Sequence, residues 1–398
     1  MTALATASFL AFGTLLVLFG ANAPEIISDL DLDYADFGLL GSMLSLGLGI
    51  GIVVAGPIAD RQPRRPLFIG ACVVVIAATM TLGPQTTYPQ LIVHMIAIGL
   101  GAGFYETVLN VIVIEEYGDA AGRRLLFIHS GAPFAACVAP LLISLARSSF
   151  PLEWYVTFRW AGLLHLPLVA AACFNSMRIT SERAASHHPK AGDNVPSNGS
   201  TGAPAIASNR SSEDRANEKF VLAAICAATF AYVGVESALT IFVVDYTVAD
   251  LDLGAARAAG TISAFWGGLL VGRLASGLSP RSPGAGATAM AALLAAGITL
   301  GFGVGIFGFP ELAMASAGFV LGGVFPVMIG LAGQTLPSSP ATAVGLAGGL
   351  GSLGGFLVPW YTGRLASTAG LPFAISSLSG WLLLLLAAAL AVRFRRRT

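Results

Sequence analysis

Residues 91–114 read LIVHMIAIGLGAGFYETVLNVIVI, an apolar run interrupted by one carboxylate, Glu106. The run is long enough to cross the roughly 30 Å hydrocarbon core of a bilayer, which takes about 20 residues of helix. A carboxylate at the middle of such a helix costs about 2.5–3.5 kcal/mol on insertion scales. Either a neighbour offsets that cost or the group is there to be used. The rest of the chain shares the character of this run. Of its 398 residues 55% are hydrophobic and 11% charged, against about 25% charged in soluble domains. A soluble fold cannot hide so much apolar surface, so the solvent is a bilayer.

Twelve such segments can be counted: 5–27, 35–58, 66–83, 89–114, 125–146, 155–175, 220–245, 257–278, 286–308, 311–335, 341–363 and 371–392. The first imitates a secretory signal at Ala21-Asn22-Ala23. Its N-terminal MTALATASFL carries no positive charge and the run is too long for a signal core, so it reads as a membrane helix. With both termini in the cytoplasm, 17 of the 21 Lys and Arg fall on the inner side, leaving Arg147, Arg159, Arg257 and Arg364 outside. That is the bias of the positive-inside rule. The first outer loop, SDLDLDYAD (28–36), is acidic instead. The expectation is a multi-pass protein of a bacterial inner membrane.

Residues 176–218 are rich in Ser, Asn, Pro and charge, the composition of a flexible cytoplasmic linker. They divide the chain into a six-helix bundle over 1–175 and another over 219–398. The adjacent His187 and His188 within them make no metal set. Cys72, Cys137, Cys173 and Cys226 all lie in apolar runs without paired spacing, so they read as small core residues rather than ligands or disulfides. No nucleophile–base pair, metal cluster or nucleotide-binding loop is visible in the sequence. The chain is therefore read as a non-enzyme without cofactors and without nucleic-acid partners, a monomer that draws its energy from an ion gradient.

The loop after the second segment reads Gly56-Pro-Ile-Ala-Asp60-Arg61-Gln-Pro63-Arg64-Arg65, and Gly268-Leu-Leu-Val-Gly272-Arg273 repeats its spacing 212 residues later. The first copy resembles the signature loop of the major facilitator superfamily, Gly-x-x-x-Asp-Arg-x-Gly-Arg-Arg/Lys, with Pro63 where that pattern has Gly. Further stretches are similar to the fucose/galactose/glucose–proton symporter branch. They are Phe19-Gly-Ala-Asn22-Ala-Pro-Glu25, Gly101-Ala-Gly-Phe-Tyr-Glu106-Thr-Val-Leu-Asn110, Ala231-Tyr232-Val-Gly-Val-Glu236, Phe265-Trp266-Gly-Gly-Leu-Leu-Val-Gly-Arg273 and Gly322-Gly-Val-Phe-Pro326. The resemblance implies an all-α membrane fold of twelve helices in two pseudo-symmetric six-helix bundles, rocking about a site near mid-membrane. It implies proton-coupling acids at Glu25 and Glu106, and a charged inner gate at Asp60, Arg61 and Arg65, echoed by Arg273. It also implies that helices two and eleven meet between the halves. Helix two carries Gly41, Gly47, Gly49, Gly51 and Gly56; helix eleven carries Gly345, Gly348, Gly349, Gly351, Gly354 and Gly355. Small residues there allow close, sliding contact.

The residues can also be taken by themselves. Glu106 and Asn110 are four apart and share a helix face, as do Tyr232 and Glu236, while Asn22 and Glu25 are three apart. Glu106 lies about nine residues, or roughly 14 Å, from the inner end of its helix near Glu115. At such depth a carboxyl loses hydration, which favours the neutral acid, and water reaching it allows the proton to leave. Glu25, near the outer end, is as well placed to snorkel to water. Glu236 could pair statically with Tyr or Asn, and His129 reads as an interfacial histidine. Trp266 offers a flat ring to a sugar and Gln334 an amide to its hydroxyls, or each simply packs. The resulting expectation is a proton-coupled symporter of a small polar solute, a sugar. Glu106, Glu25 and Glu236 couple protons, and Asn22, Asn110, Tyr232, Trp266, Gln334 and His129 bind the solute at mid-depth. The alternative is a proton-driven exporter of apolar or cationic compounds.

Overall fold

The computed structural model describes residues 2–59, 61–117, 121–174, 212–279, 284–336 and 340–396. All regular structure among them is helical. The first segment is α1 (Thr2–Ala21) with α2 (Ala23–Leu30), followed by α3 (Tyr34–Ala59), α4 (Arg64–Met80) and α5 (Tyr88–Tyr117). The fifth is α6 (Ala121–His129) with α7 (Gly131–Ser149), and the sixth α8 (Trp154–Leu163) with α9 (His165–Phe174). Then come α10 (Ser212–Ala249), α11 (Ala255–Leu278), α12 (Ala285–Gly303), α13 (Pro310–Leu321) with α14 (Val324–Thr335), α15 (Pro340–Ala369) and α16 (Leu371–Arg395). Eleven apolar helical stretches reach at least 18 residues; α4, with 17, makes the twelfth segment.

One boundary is corrected. Residues 212–218, read above as linker, are the first turns of α10. Glu213 stands in its first turn, where the helix dipole favours an acid. The rest of that stretch, 176–211, lies outside the described residues, as does Asp60. Cys173 also departs from expectation, being exposed, whereas Cys72 and Cys226 are buried and Cys137 is half-buried.

Four segments are broken, and two breaks shape the interior. In the first, Pro24 lies in the opening turn of α2, and both Asn22 N and Asn22 Nδ2 turn back to the Leu18 carbonyl, at 3.1 and 2.5 Å. The Leu18 carbonyl thus keeps its helix partner and gains the side-chain amide, while Pro24 has no N–H to continue the ladder. In the tenth, Gly322 and Gly323 separate α13 from α14. A Cβ on Gly322 would overlap the Leu269 carbonyl and stand 2.6 Å from Arg273 N. Only glycine lets α11 pass so near.

Glycines also set the neighbours of α5. Gly47 and Gly51 of α3 lie on the Ile96 and Leu100 backbone, and Gly99 and Gly103 of α5 lie on Leu44 and Leu48. The two pairs, each four apart, interlock at backbone distance, the small-residue packing used in membranes. Gly47 and Gly51 therefore face the fourth segment rather than the eleventh, a correction to the expected arrangement. Gly41 faces Ile241 and Phe19.

The seam between α3 and α15 is formed by other residues. Gly38 meets Gly363 and Pro359, Gly49 meets Ser352, and Gly355 meets Ser45. The next turns of the same faces carry Gly56 on α3 and Gly348 and Gly345 on α15, and a Cβ at any of them would meet nothing within 4 Å. The helices therefore touch over one half of their length and part over the other. They part toward the face where Thr2 meets Tyr117 and Arg396 meets Gln334, called here the terminal face. They close at the far face, where the Tyr34 hydroxyl donates to Asp245 Oδ2 at 2.8 Å and Ala35 N–H donates to Ser367 Oγ at 2.7 Å.

Candidate functional site

Between the two sets of six segments, polar side chains converge from both sides. On the first side, Glu106 is half-buried in α5, and no hydrogen bond or ion pair engages its carboxyl among the described residues. One turn on, Asn110 Oδ1 accepts from His129 Nε2 at 2.9 Å. The His129 ring packs on Phe9 of α1, centroids 4.2 Å apart. His129 is therefore held from the fourth and first segments at once, which an interfacial histidine would not be.

On the second side, Tyr232 and Glu236 of α10 share a face, and the guanidinium of Arg273 neighbours both. Arg273 also lies within electrostatic range of His129 across the gap, and its Nε reaches toward the Gly322 carbonyl at 3.5 Å. Gly322 brings the tenth segment against the backbone of α11 at this point. Sequence spacing assigned Arg273 to a gate; the structure places it in this central cluster. Trp266 stands two turns before it on α11, edge-on to Phe265, and Tyr232 stacks against Phe325. Trp266 Nε1 and Ser263 Oγ are buried without a hydrogen-bond partner among the described residues, while Tyr232 is engaged by Glu236 and Arg273. Native proteins rarely leave such atoms unpaired. Both unpaired atoms lie on α11, three residues apart.

The remaining expected residues fall outside this cluster. Asn22 is fully buried. Its Nδ2 donates to Thr157 Oγ1 at 3.1 Å, and its Oδ1 accepts from Arg147 Nη2 at 2.6 Å. Arg147 Nη1 pairs with Glu25 Oε1 at 2.7 Å. Glu25 is thus neutralised by a cation from the fifth segment rather than by snorkelling. Gln334 is exposed at the terminal face, where Arg396 Nη1 donates to its Oε1 at 3.1 Å. Its expected place at mid-depth is corrected, because Gln334 is the penultimate residue of α14 and lies at that helix's end. Arg61 is exposed, and Arg65 donates to the Cys173 carbonyl within the first six segments.

Two participants were missed in the sequence. Asp245 is 6% exposed and joins α10 to α3 through Tyr34. Its signal was an acid inside the apolar run TIFVVDYTVA (240–249). Arg147 was visible as one of the few cations on the wrong side of the charge sorting, without its purpose being legible.

Comparison with known proteins agrees with the fold. The multidrug resistance protein MdtL of Shewanella oneidensis is 28% identical over 180 residues, 45% of this chain and 44% of that one. The sodium-dependent glucose transporter 1A of Mus musculus is 25% identical over 148 residues, 37% of this chain and 35% of that one. The chain thus matches less than half the length of these relatives. Among solved structures, a D-xylose-proton symporter superposes with a TM-score of 0.77 at 15% identity, over 98% of this chain and 96% of that one. A bacterial homologue of the human lysosomal transporter Spinster, inward-facing and unoccupied, gives 0.69 at 16% identity, over 100% and 97%. At such identities these likenesses concern the fold alone. The sequence pattern of the family matches residues 4–359. With twelve helical segments among the described residues, a seam that opens on one face and a polar cluster between its halves, this chain is a membrane transporter, not an enzyme, and belongs to the Major Facilitator Superfamily.

Proposed function

We propose that this transporter carries a small polar solute, a sugar, together with protons, by alternating access, with the terminal face in the cytoplasm. The observation that carries the reading is the contrast between its two central carboxyls. Glu236 has the Arg273 cation beside it; Glu106 has none among the described residues. An anion without a partner at this depth is expensive, and taking up a proton removes the cost. Water entering from one face or the other then decides when the proton leaves. Across the gap, Trp266 Nε1 and Ser263 Oγ have no hydrogen-bond partner among the described residues, and Tyr232, Glu236 and Arg273 form a polar group on the neighbouring helices. A hydroxylated ring supplies donors and acceptors to them at once, with its apolar face against Trp266. In this reading Asn22 and Glu25 brace the bend of the first segment, and the Tyr34–Asp245 bond locks the far face while the terminal face is open. Asp60, Arg61 and Arg65 form the opposite lock when the cycle reverses.

The test is uptake into proteoliposomes of labelled monosaccharides under an imposed pH gradient, with a sodium gradient as control. Glu106→Gln should abolish gradient-driven accumulation while leaving counterflow measurable, because the amide keeps the shape but cannot shuttle a proton. Accumulation that survives in the variant would make Glu106 structural. A second reading, export of apolar or cationic compounds, draws support from the MdtL relative and from the aromatic walls Phe265, Trp266 and Phe325. Binding of lipophilic cations without binding of any monosaccharide would favour it.

A further inference from the structure

On the side of α10 turned away from the central cluster, an apolar groove of about 490 Å³ runs between α15 and α16. Its lining includes Lys219, Ala223, Cys226 and Phe230 of α10, Leu350 of α15 and Leu384 of α16. Phe230 is two residues from Tyr232, and Leu350 is two from Gly348 and Ser352, so at 3.6 residues per turn both point roughly half a turn from the site and from the seam. The groove therefore belongs to the lipid-facing surface. Leu350 and Leu384 are 37% and 41% exposed. From Lys219 to Phe230 the groove follows α10 for about 17 Å, close to half of the roughly 30 Å hydrocarbon core. It is one leaflet long.

Its mouth is cationic. Lys219 is exposed there, with Arg215, also exposed, one turn earlier. Arg395 lies over the Phe220 ring, 5.2 Å from its centroid, beside Lys219. The neighbouring acid, Glu218, instead lines a separate polar pocket with Gln334 and Arg396. An apolar channel of leaflet length beneath a set of cations complements one kind of molecule. We propose that the groove binds an anionic phospholipid, with one acyl chain along α10 between α15 and α16 and the phosphate at Lys219.

The experiment is native mass spectrometry of the full chain released from nanodiscs of equimolar phosphatidylglycerol and phosphatidylcholine. The wild type should retain phosphatidylglycerol in preference to phosphatidylcholine. Lys219→Gln should lower that preference about fivefold, the worth of one basic residue at a membrane surface. Ala223→Phe, which fills the groove from an exposed position, should abolish retention of both lipids, and Leu384→Trp should do the same from the opposite wall. Equal retention of the two lipids by the wild type would overturn the proposal. So would retention that persists unchanged in both groove-filling variants.

Discussion

Tyr34→Phe removes one hydroxyl and nothing else from the closed far face. In the structure that hydroxyl donates to Asp245 Oδ2 at 2.8 Å, and it is the only hydrogen bond that carboxylate receives among the described residues. A hydrogen bond to a charged group is worth about 1.5–3 kcal/mol. The bond exists only while α3 and α10 are together, so its loss bears on the closed arrangement and not on the open one. The ratio of far-face-closed to far-face-open molecules should therefore fall by about 10- to 150-fold. The second bond of the seam, Ala35 N–H to Ser367 Oγ, and the Phe37–Phe242 edge contact at 5.7 Å remain in the variant. Ser367→Ala should add a smaller shift of its own, and the double variant should move furthest. Spin labels on Ser28→Cys and Gly254→Cys, both exposed at this face, report the populations by pulsed electron resonance, with Cys173 replaced by Ser. The variant should show a new population at longer distance. If the distance distribution is unchanged in both Tyr34→Phe and the double variant, the lock does not exist and the far face is held by packing alone.

Three further outcomes follow from particular contacts. Asn110→Ala should weaken binding of the transported sugar by about one to two orders of magnitude in calorimetry, since it strips a partner from His129 as well as from the solute; adding His129→Ala should cost much less than its effect alone. Gly38→Val should expose a cysteine placed at Ser45 to a maleimide added from the far face, because a Cβ at 38 would stand 2.8 Å from Gly363 Cα and 2.9 Å from the Pro359 carbonyl oxygen; unchanged labelling would refute the seam as drawn. Arg147→Gln should lower thermal stability by about 2 kcal/mol, read as a drop in Tm, less than the 3–5 of a fully buried pair because the Glu25 side chain is 36% exposed; Glu25→Gln on that background should recover part of the loss.

The membrane class, the number of segments and the singularity of Glu106 were legible in the amino-acid sequence because the bilayer imposes them locally. Each segment must be about 20 residues of apolar helix whatever its neighbours are, and a carboxylate inside one stands out without any knowledge of packing. The major facilitator fold was legible for a related reason: its loop signature recurs at Gly56 and Gly268, one copy in each half of the chain. What each polar residue does was not legible, because that depends on which helices approach and how closely. Asn22 looked like a ligand until the chain brought Thr157 and Arg147 onto it from 135 and 125 residues away. Arg273 was read as the echo of a gate, and its place beside Glu236 and Tyr232 came only from how α10 and α11 meet. Gln334 left the expected site because α14 ends where it does, and Asp245 entered the picture only when Tyr34 was placed against it. Segment existence is a contract between one helix and the lipid; partnership is decided by crossing angles and backbone clearances, which only the tertiary structure supplies.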